Sequence, residues 1–408
     1  KCIKKGKTMK KLKNTVKIIF LLILMLNLLA NHKVFAANIA NEIQKEEYTE
    51  DFKKWLELSD EEKQKTIMPR MYEVKNTNII SKNPLYLARM LKASANSRYS
   101  LKDIIPANVI IKNQQQTNSC WAFATLSSLE TNLALANYKK GTNLSKVYDF
   151  SERHMEYATS KTFSNGVENK SGYNRKVGSG GSYQFSTSYL TNGSGAIPES
   201  EMPFENNENT IDISQIQNKT VSSQVYDTVV FPDYRIATEE NKTEIMNQIK
   251  QHIQNYGSVQ ASIHGNSSSL SAFNCYNNDT GAKFCNSSIT HSIDHAVSII
   301  GWDDNYSIDN FPENAKPKAN GAWIVRNSWG EKAENWKLSD LKTEIFNTYK
   351  QQCIAKGWNS AEEIPNEFLK EAGYTIENDM AYIKYGDNGI IYISYEDVNV
   401  SKQMFGIV

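Results

Sequence analysis

The sequence predicts an α+β protein of two lobes, a helix-rich lobe followed along the chain by a lobe of mostly antiparallel strands. Three observations carry that reading. Ala122, Leu126, Leu129, Leu133 and Ala136 recur at helical spacing, and Lys139, Lys140 and Gly141 then stop the helix. After residue 257 the text changes to short apolar runs: SVQASIHG, HAVSIIGW, GAWIVRNSW and GIIYISYE. These read as strands, and their closeness in sequence favours antiparallel pairing.

The chain has 408 residues, enough for two or three domains. It carries 46 Lys and Arg against 45 Asp and Glu, a net charge of +1, which argues against nucleic-acid binding through bulk charge. Five cysteines are too few for a disulfide scaffold, and their odd number leaves at least one thiol free.

Lys10, Lys11, Lys13 and Lys17 precede the apolar run Ile18 to Ala30, and Val34-Phe35-Ala36 offers a cleavage site. Residues 1–37 are thus read as a signal peptide with upstream residues, and the protein as secreted or held at the cell surface. The alternative is an uncleaved anchor, but the run is short of the roughly 20 residues that a membrane span needs.

Residues 38–97 are charged and helix-prone, with Phe52, Trp55 and Leu56 on one face. They are read as a helical leader or a propeptide. The helix-rich lobe spans 98–215. It holds the helix at 120 and a second one after Phe150-Ser151-Glu152, and residues 159–182 read as loop. The β-rich lobe spans 216–401. Thr220 to Pro232 is a strand candidate, and Thr243 to Tyr256 is an amphipathic helix closed by Gly257. Residues 331–385 interrupt the strands with helical text and are read as an insertion, with Cys353 as a packing residue. Cys275 and Cys285 lie in one loop and could pair in an oxidising compartment. Residues 402–408 read as the start of a further C-terminal region.

Cys120 stands at the start of its helix, where unpaired N–H groups favour a thiolate. The helix alone leaves two readings open, a nucleophile or a small buried hydrophobe. A nucleophile needs a base, and six histidines are available. His32 lies in the signal region, and His154, His252 and His264 have no special context. His291 and His295 lie before or at the start of a strand, where a structural role competes. Their spacing suits a metal only on a helix. Asp303-Asp304-Asn305 with Asp309 lacks the glycine and late Glu of a calcium loop. No metal or cofactor is expected.

TNSCWAFA at 117–124, DHAVSIIGW at 294–302 and RNSWG at 326–330 together resemble the active-site blocks of the papain-like (C1) cysteine peptidases. Gln114, six residues before Cys120, resembles the family's oxyanion-hole Gln. Gly180-Gly181 resembles its substrate-binding glycines, and Phe150-Ser151-Glu152 its Leu-Ser-Glu turn. The resemblance covers roughly residues 98–400. It implies a papain-like two-lobe fold with the cleft between the lobes, and an endopeptidase acting on protein or peptide substrates. It implies Cys120 as nucleophile, His295 as its partner in an ion pair, Asn327 as orienter of the ring, and Trp329 as its shield. Gln114 and the Cys120 N–H would form the oxyanion hole, and Asp294 would tune the ion pair. Gly180 and Gly181 would pair with the substrate backbone, while Tyr183, Ile293 and Ala296 would line an apolar pocket.

Departures from the family pattern are also informative. Thr117 and Gly178 stand where the family places one disulfide, so both partners are missing together. From Cys120 to His295 is 295 − 120 = 175 positions, against the ~130–150 expected. The family's long helical propeptide motif is not visible in 38–97. These features resemble the bacterial exported branch of the family, some members of which carry a lectin-like domain after the ISYED strand. A domain beyond Val408 and cell-surface attachment through it are therefore expected. Two rival readings use the same residues: a catalytically idle binding or adhesion module, and acyl transfer as in a transpeptidase.

Overall fold

The computed structural model describes residues 49–59, 62, 69, 96–115, 117–204, 211–265, 275–277, 279–286, 293–313, 315–330, 334–371, 374–383 and 388–408. All of them belong to the unit Tyr48–Val408. The signal-peptide reading, His32, His291 and most of 60–95 lie outside the described residues.

Helix α1 (Glu50–Glu57) is capped by Thr49, whose hydroxyl accepts from the Phe52 N–H at 3.1 Å. Phe52 is buried and stacks on Trp55, while Leu56 is exposed. The Lys402 ammonium lies 3.7 Å from Asp51.

Helix α2 (Cys120–Lys140) ends at Gly141, whose φ of 66° is the left-handed turn expected of a C-terminal glycine. The sequence implies one apolar stripe, yet almost every side chain from Cys120 to Leu135 is buried. The cause is packing on both sides. One side meets α3 (Glu152–Thr159) and α4 (Tyr183–Thr191); the other meets the sheet. The buried polar residues of α2 are therefore partnered rather than solvated. Thr125 donates to the Gln260 side chain, Ser127 bonds Ser298 at 2.8 Å, and Thr131 donates to Ser258 at 3.0 Å. These hydroxyls form the seam between the lobes.

The second lobe is built on one sheet. Its strands are β1 (Arg98–Ser100), β4 (Thr228–Phe231), β5 (Val259–Ile263), β6 (Tyr276–Asn277), β7 (Ala282–Lys283), β8 (His295–Asp303), β9 (Ala322–Arg326), β13 (Ile390–Ser394) and β14 (Met404–Ile407). The order is β4-β14-β5-β8-β9-β13-β7-β6, with β1 paired to β8. Pairing is antiparallel throughout, save for β13 with β7. Helix α5 (Glu239–Tyr256), capped by Thr238, lays Ile245, Ile249 and Ile253 on this sheet, where they join its main core. The strand read at 220–232 is confined to β4. The stretch read as loop at 159–182 contains a short parallel pair, β2 (Ser160–Thr162) with β3 (Tyr173–Lys176).

Between Gly330 and Asn388 the insertion is mixed. It has the antiparallel sheet β10-β12-β11 (Glu334–Lys337, Met380–Ile383, Thr375–Glu377) beside α6 (Leu338–Thr348), α7 (Lys350–Ala355) and α8 (Asn366–Glu371). Leu341, Ile345, Cys353, Ile364, Leu369 and Ala381 give it a separate apolar core. The helical period is easy to read in this text; the strands are only three or four residues long and leave no clear alternation. Among the described residues no helix is long and apolar enough to cross a membrane.

Candidate active site

The site forms where the start of α2 meets the start of β8. Cys120 opens the helix, and its sulfur lies within reach of three backbone N–H groups, those of Ala296, Trp121 and Cys120 itself. Two belong to the free end of the helix and one to β8, so the sulfur sits beside the strand that carries His295.

His295 is buried and held on two sides. Its Nε2 lies 2.7 Å from Asn327 Oδ1, and the Trp329 ring stacks on the imidazole at 4.5 Å with an interplanar angle of 28°. The Ser328 N–H donates to the same Oδ1 at 2.8 Å, which fixes the orientation of the Asn327 amide. An oxygen there accepts, so Nε2 carries the proton and Nδ1 is left as the basic nitrogen. Asn327, Ser328 and Trp329 are delivered together because they follow β9 directly.

Burial pushes the Cys120 thiol up to about 12, against the pull of its N–H donors, and Asp294 pushes the same way. Burial also lowers His295 to about 4, opposed by the Asn327 hydrogen bond and by Asp294. Each shift is the cost of one lone charge in a buried place.

Gln114 is buried beside Ser328. Its backbone N–H donates to Ser328 O at 2.7 Å and its Oε1 accepts from the Ser328 hydroxyl at 2.6 Å. Its amide nitrogen donates to Thr117 O at 2.7 Å, leaving the second amide hydrogen for a ligand. An isolated bridge between Asn113 and Trp329 runs alongside.

The loop before Cys120 is tied without a disulfide. Asn118 Nδ2 donates to Gly178 O at 2.9 Å. Glu156, on α3, takes the Gly178 N–H at 2.8 Å on one oxygen and the Ser119 hydroxyl at 2.9 Å on the other. One buried carboxylate thus joins the two segments. Arg175 crosses the same loop, donating to Ser179 O and lying 5.0 Å above the Trp121 ring. Gly181 is buried against that ring, where a Cβ would come within 2.3 Å of it; only glycine fits. Gly180 beside it is half-buried.

Tyr183, Ile293 and Ala296 meet in one apolar cluster with Phe405 and Ile407, and Tyr183 stacks on Phe405 at 5.8 Å. Asp294 directly precedes His295. Its Oδ2 is 3.3 Å from His264 Nδ1, and its Oδ1 accepts from the Gly265 N–H. Cys275 and Cys285 are fully buried and flank the β6–β7 pair. The Phe284 N–H donates to Cys275 O at 2.7 Å, so the strand pairing sets Cys275 beside the residue that precedes Cys285. Among the described residues no group of three or more His, Cys, Asp or Glu side chains is arranged to hold a metal ion.

Four residues of this site escape a reading of the sequence. Ser328 lies inside the RNSWG string, but its hydroxyl has no motif to announce it. Glu156 and Phe405 are ordinary residues of a helix and a strand. His264 was readable in principle: the β5–β8 register pairs Ile263 with His295, which sets His264 opposite Asp294.

Comparison with known proteins agrees with this geometry. Residues 102–353 match the family model described as papain family cysteine protease. The cysteine protease and lectin-like domains of Cwp84, a surface layer associated protein of Clostridium difficile, share 24% identity with a TM-score of 0.57; the match covers 89% of this chain and 60% of that one. The clostridial cysteine protease Cwp84 after propeptide cleavage shares 25% identity with a TM-score of 0.50, covering 76% of this chain and 57% of that one. The chain thus spans about three-fifths of the length of these structures. No curated protein matches.

Proposed function

This chain belongs to the papain family of cysteine proteases, and from that premise we propose that it is an exported peptidase hydrolysing peptide bonds through Cys120, His295 and Asn327. The observation that carries the reading is the double constraint on His295. Asn327 Oδ1 accepts from the Nε2–H at an N···O distance of 2.7 Å and Trp329 covers the ring, so Nδ1 is the basic nitrogen offered to the thiol.

In this mechanism His295 Nδ1 takes the Cys120 proton as the sulfur attacks the scissile carbonyl carbon. Negative charge then grows on the carbonyl oxygen. The Cys120 backbone N–H and the Gln114 amide hydrogen would receive it, the Gln114 amide being held by Ser328. The imidazolium returns its proton to the leaving amine and an acyl-enzyme remains, which water cleaves by the reverse sequence. An extended substrate would lie along Gly180 and Gly181, with an apolar side chain directed to Tyr183, Ile293 and Ala296. Part of the 38–97 segment would be removed on activation. The propeptide-cleaved form of the clostridial relative supports this step.

The test pairs an epoxysuccinyl inhibitor with casein cleavage. One equivalent should attach to Cys120 of the processed protein, and Cys120→Ala should abolish both labelling and cleavage. An unlabelled Cys120 with a variant that cleaves as well as the parent overturns the reading. Cleavage replaced by amide transfer to an added amine would point to acyl transfer instead.

A further inference from the structure

Gly180 and Gly181 lie between two fixed points. Downstream, Ser182 opens α4, and its carbonyl accepts from the Phe185 N–H at 3.2 Å. Upstream, Ser179 is buried and is the last residue with a side chain before the pair. Adjacent glycines have no side chains to hold their own backbone, and glycine loses more conformational freedom on ordering than any other residue. The edge they form is therefore held through its neighbours.

Arg175, on β3, makes the upstream hold. Its Nη2 donates to Ser179 O. Its Nη1 donates to Ser160 Oγ at 2.8 Å, to Thr159 Oγ1 at 3.1 Å and to Glu156 O at 3.3 Å, where α3 ends and β2 begins. The two ends of one planar fork thus tie the Ser179 carbonyl to a helix end, a geometry that an ammonium cannot reproduce. The guanidinium also lies 5.0 Å over the Trp121 ring and 5.6 Å over the Phe185 ring. Trp121 is fully buried, and Gly181 packs against it. Arg175 therefore reaches the glycine pair twice, through the Ser179 carbonyl and through the indole.

We propose that Arg175 is a positioning residue for the substrate: it fixes the Gly180–Gly181 edge in the extended form that an incoming peptide backbone would pair with. The proposal rests on the peptidase reading given above. An edge left free would have to be ordered by each substrate as it binds, and that cost falls on affinity. The thiol is spared, because the hydrogen bonds of Arg175 go to 156–160 and to 179. Glu156 differs in this respect, since its carboxylate also holds Ser119, the neighbour of Cys120.

The experiment uses Arg175→Met in the full chain, which keeps an apolar stem on Trp121 and Phe185 and removes the donors. On a peptide with several residues before the scissile bond, KM should rise about tenfold with kcat little changed. Alkylation of Cys120 by iodoacetamide should keep the parent's rate. A substrate with a single residue before the scissile bond, too short to reach Gly181, should lose far less than the long one. Arg175→Lys keeps the charge yet cannot span Ser160 and Ser179 together, so KM should rise there too; it serves as the test if the Met variant does not fold. An unchanged KM on the long peptide, or an equal fall in alkylation and in both substrates, overturns the proposal. A parent without turnover refutes the peptidase reading instead. Arg175 is then tested by the Kd of the long peptide for Cys120→Ala with and without Arg175→Met: about tenfold weakening supports the proposal and equal values overturn it.

Discussion

Ser328 donates its hydroxyl to Gln114 Oε1 at 2.6 Å, binding the residue after Asn327 to the expected oxyanion donor. Its main chain acts twice more: the carbonyl accepts from Gln114 N and the N–H donates to Asn327 Oδ1. One serine thus sets the angle of two amides that would work on opposite sides of the reacting carbon. Ser328→Ala keeps the main-chain bonds and frees only the Gln114 carbonyl. The expected result is a fall in kcat of roughly tenfold with KM little changed, since a loosened donor acts on the transition state more than on bound substrate. Steady-state kinetics on one peptide substrate decide it; a rise in KM alone would contradict it.

Glu156 does the work of the absent disulfide, so its loss should resemble reduction of one. Glu156→Ala leaves the Gly178 N–H and the Ser119 hydroxyl without their acceptor. Unfolding should become easier by about 2–4 kcal/mol, and Cys120 alkylation should slow as the loop in front of it loosens. Denaturant titration measures the first and iodoacetamide kinetics the second. Restoring the cross-link by Thr117→Cys with Gly178→Cys is expected to fail, because Gly178 has a φ of +81°, where a cysteine is strained.

Acid groups behind the site predict a pH dependence of stability. Burial and then the neighbouring Glu152 raise the Glu199 carboxyl to about 8, against the Phe204 N–H that it accepts. A carboxyl with a raised folded pKa holds its proton in the native state after the unfolded chain has released its own. Stability from this group is therefore present at acid pH and lost as pH rises from the ordinary carboxylate range through about 8. Glu199→Gln keeps an acceptor for Phe204 and removes the titration. Its melting temperature should exceed the parent's at pH 8 and match it near pH 5. An equal shift at both values would assign the effect to packing.

Cys275 and Cys285 give a simple readout. If they pair, the chain unfolded without reductant should leave both unlabelled by iodoacetamide; after reduction both should label. Full labelling before reduction would show that the two stay as thiols, with Lys283, whose ammonium is 3.5 Å from the Cys285 sulfur, as their polar neighbour.

The insertion leaves and rejoins the body beside the site: the Asn327 N–H donates to Gly389 O at 3.0 Å. Replacing residues 331–385 with a short Gly-Ser link should leave Cys120 reactive and widen the range of peptides cleaved. An unchanged preference across a peptide library would mean that the insertion does not restrict the cleft.

Much of this site is legible in the sequence because its parts lie in short contiguous strings. TNSCWAFA, DHAVSIIGW and RNSWG each place one group at an element boundary, and the structure brings the boundaries together. What cannot be read is contact across long separations. Glu156 meets Gly178, and Thr125 meets Gln260, through side chains that no period relates. The stripe on α2 misleads for a related reason. Periodicity reports a helix with one wet face, whereas α2 lies between two lobes and buries its serines and threonines in bonds to the second of them.

Strand β14 lies between β4 and β5, though it follows both by more than a hundred residues. Residues 404–407 are thus a keystone in the order of assembly. Any chain cut short of Met404 has a gap one strand wide in its largest sheet, with the facing N–H and C=O rows of β4 and β5 unmet and Phe405 missing from the pocket. The lobe that carries His295 can close only after the last of these strands has been made, so synthesis itself delays the moment at which the cleft takes shape.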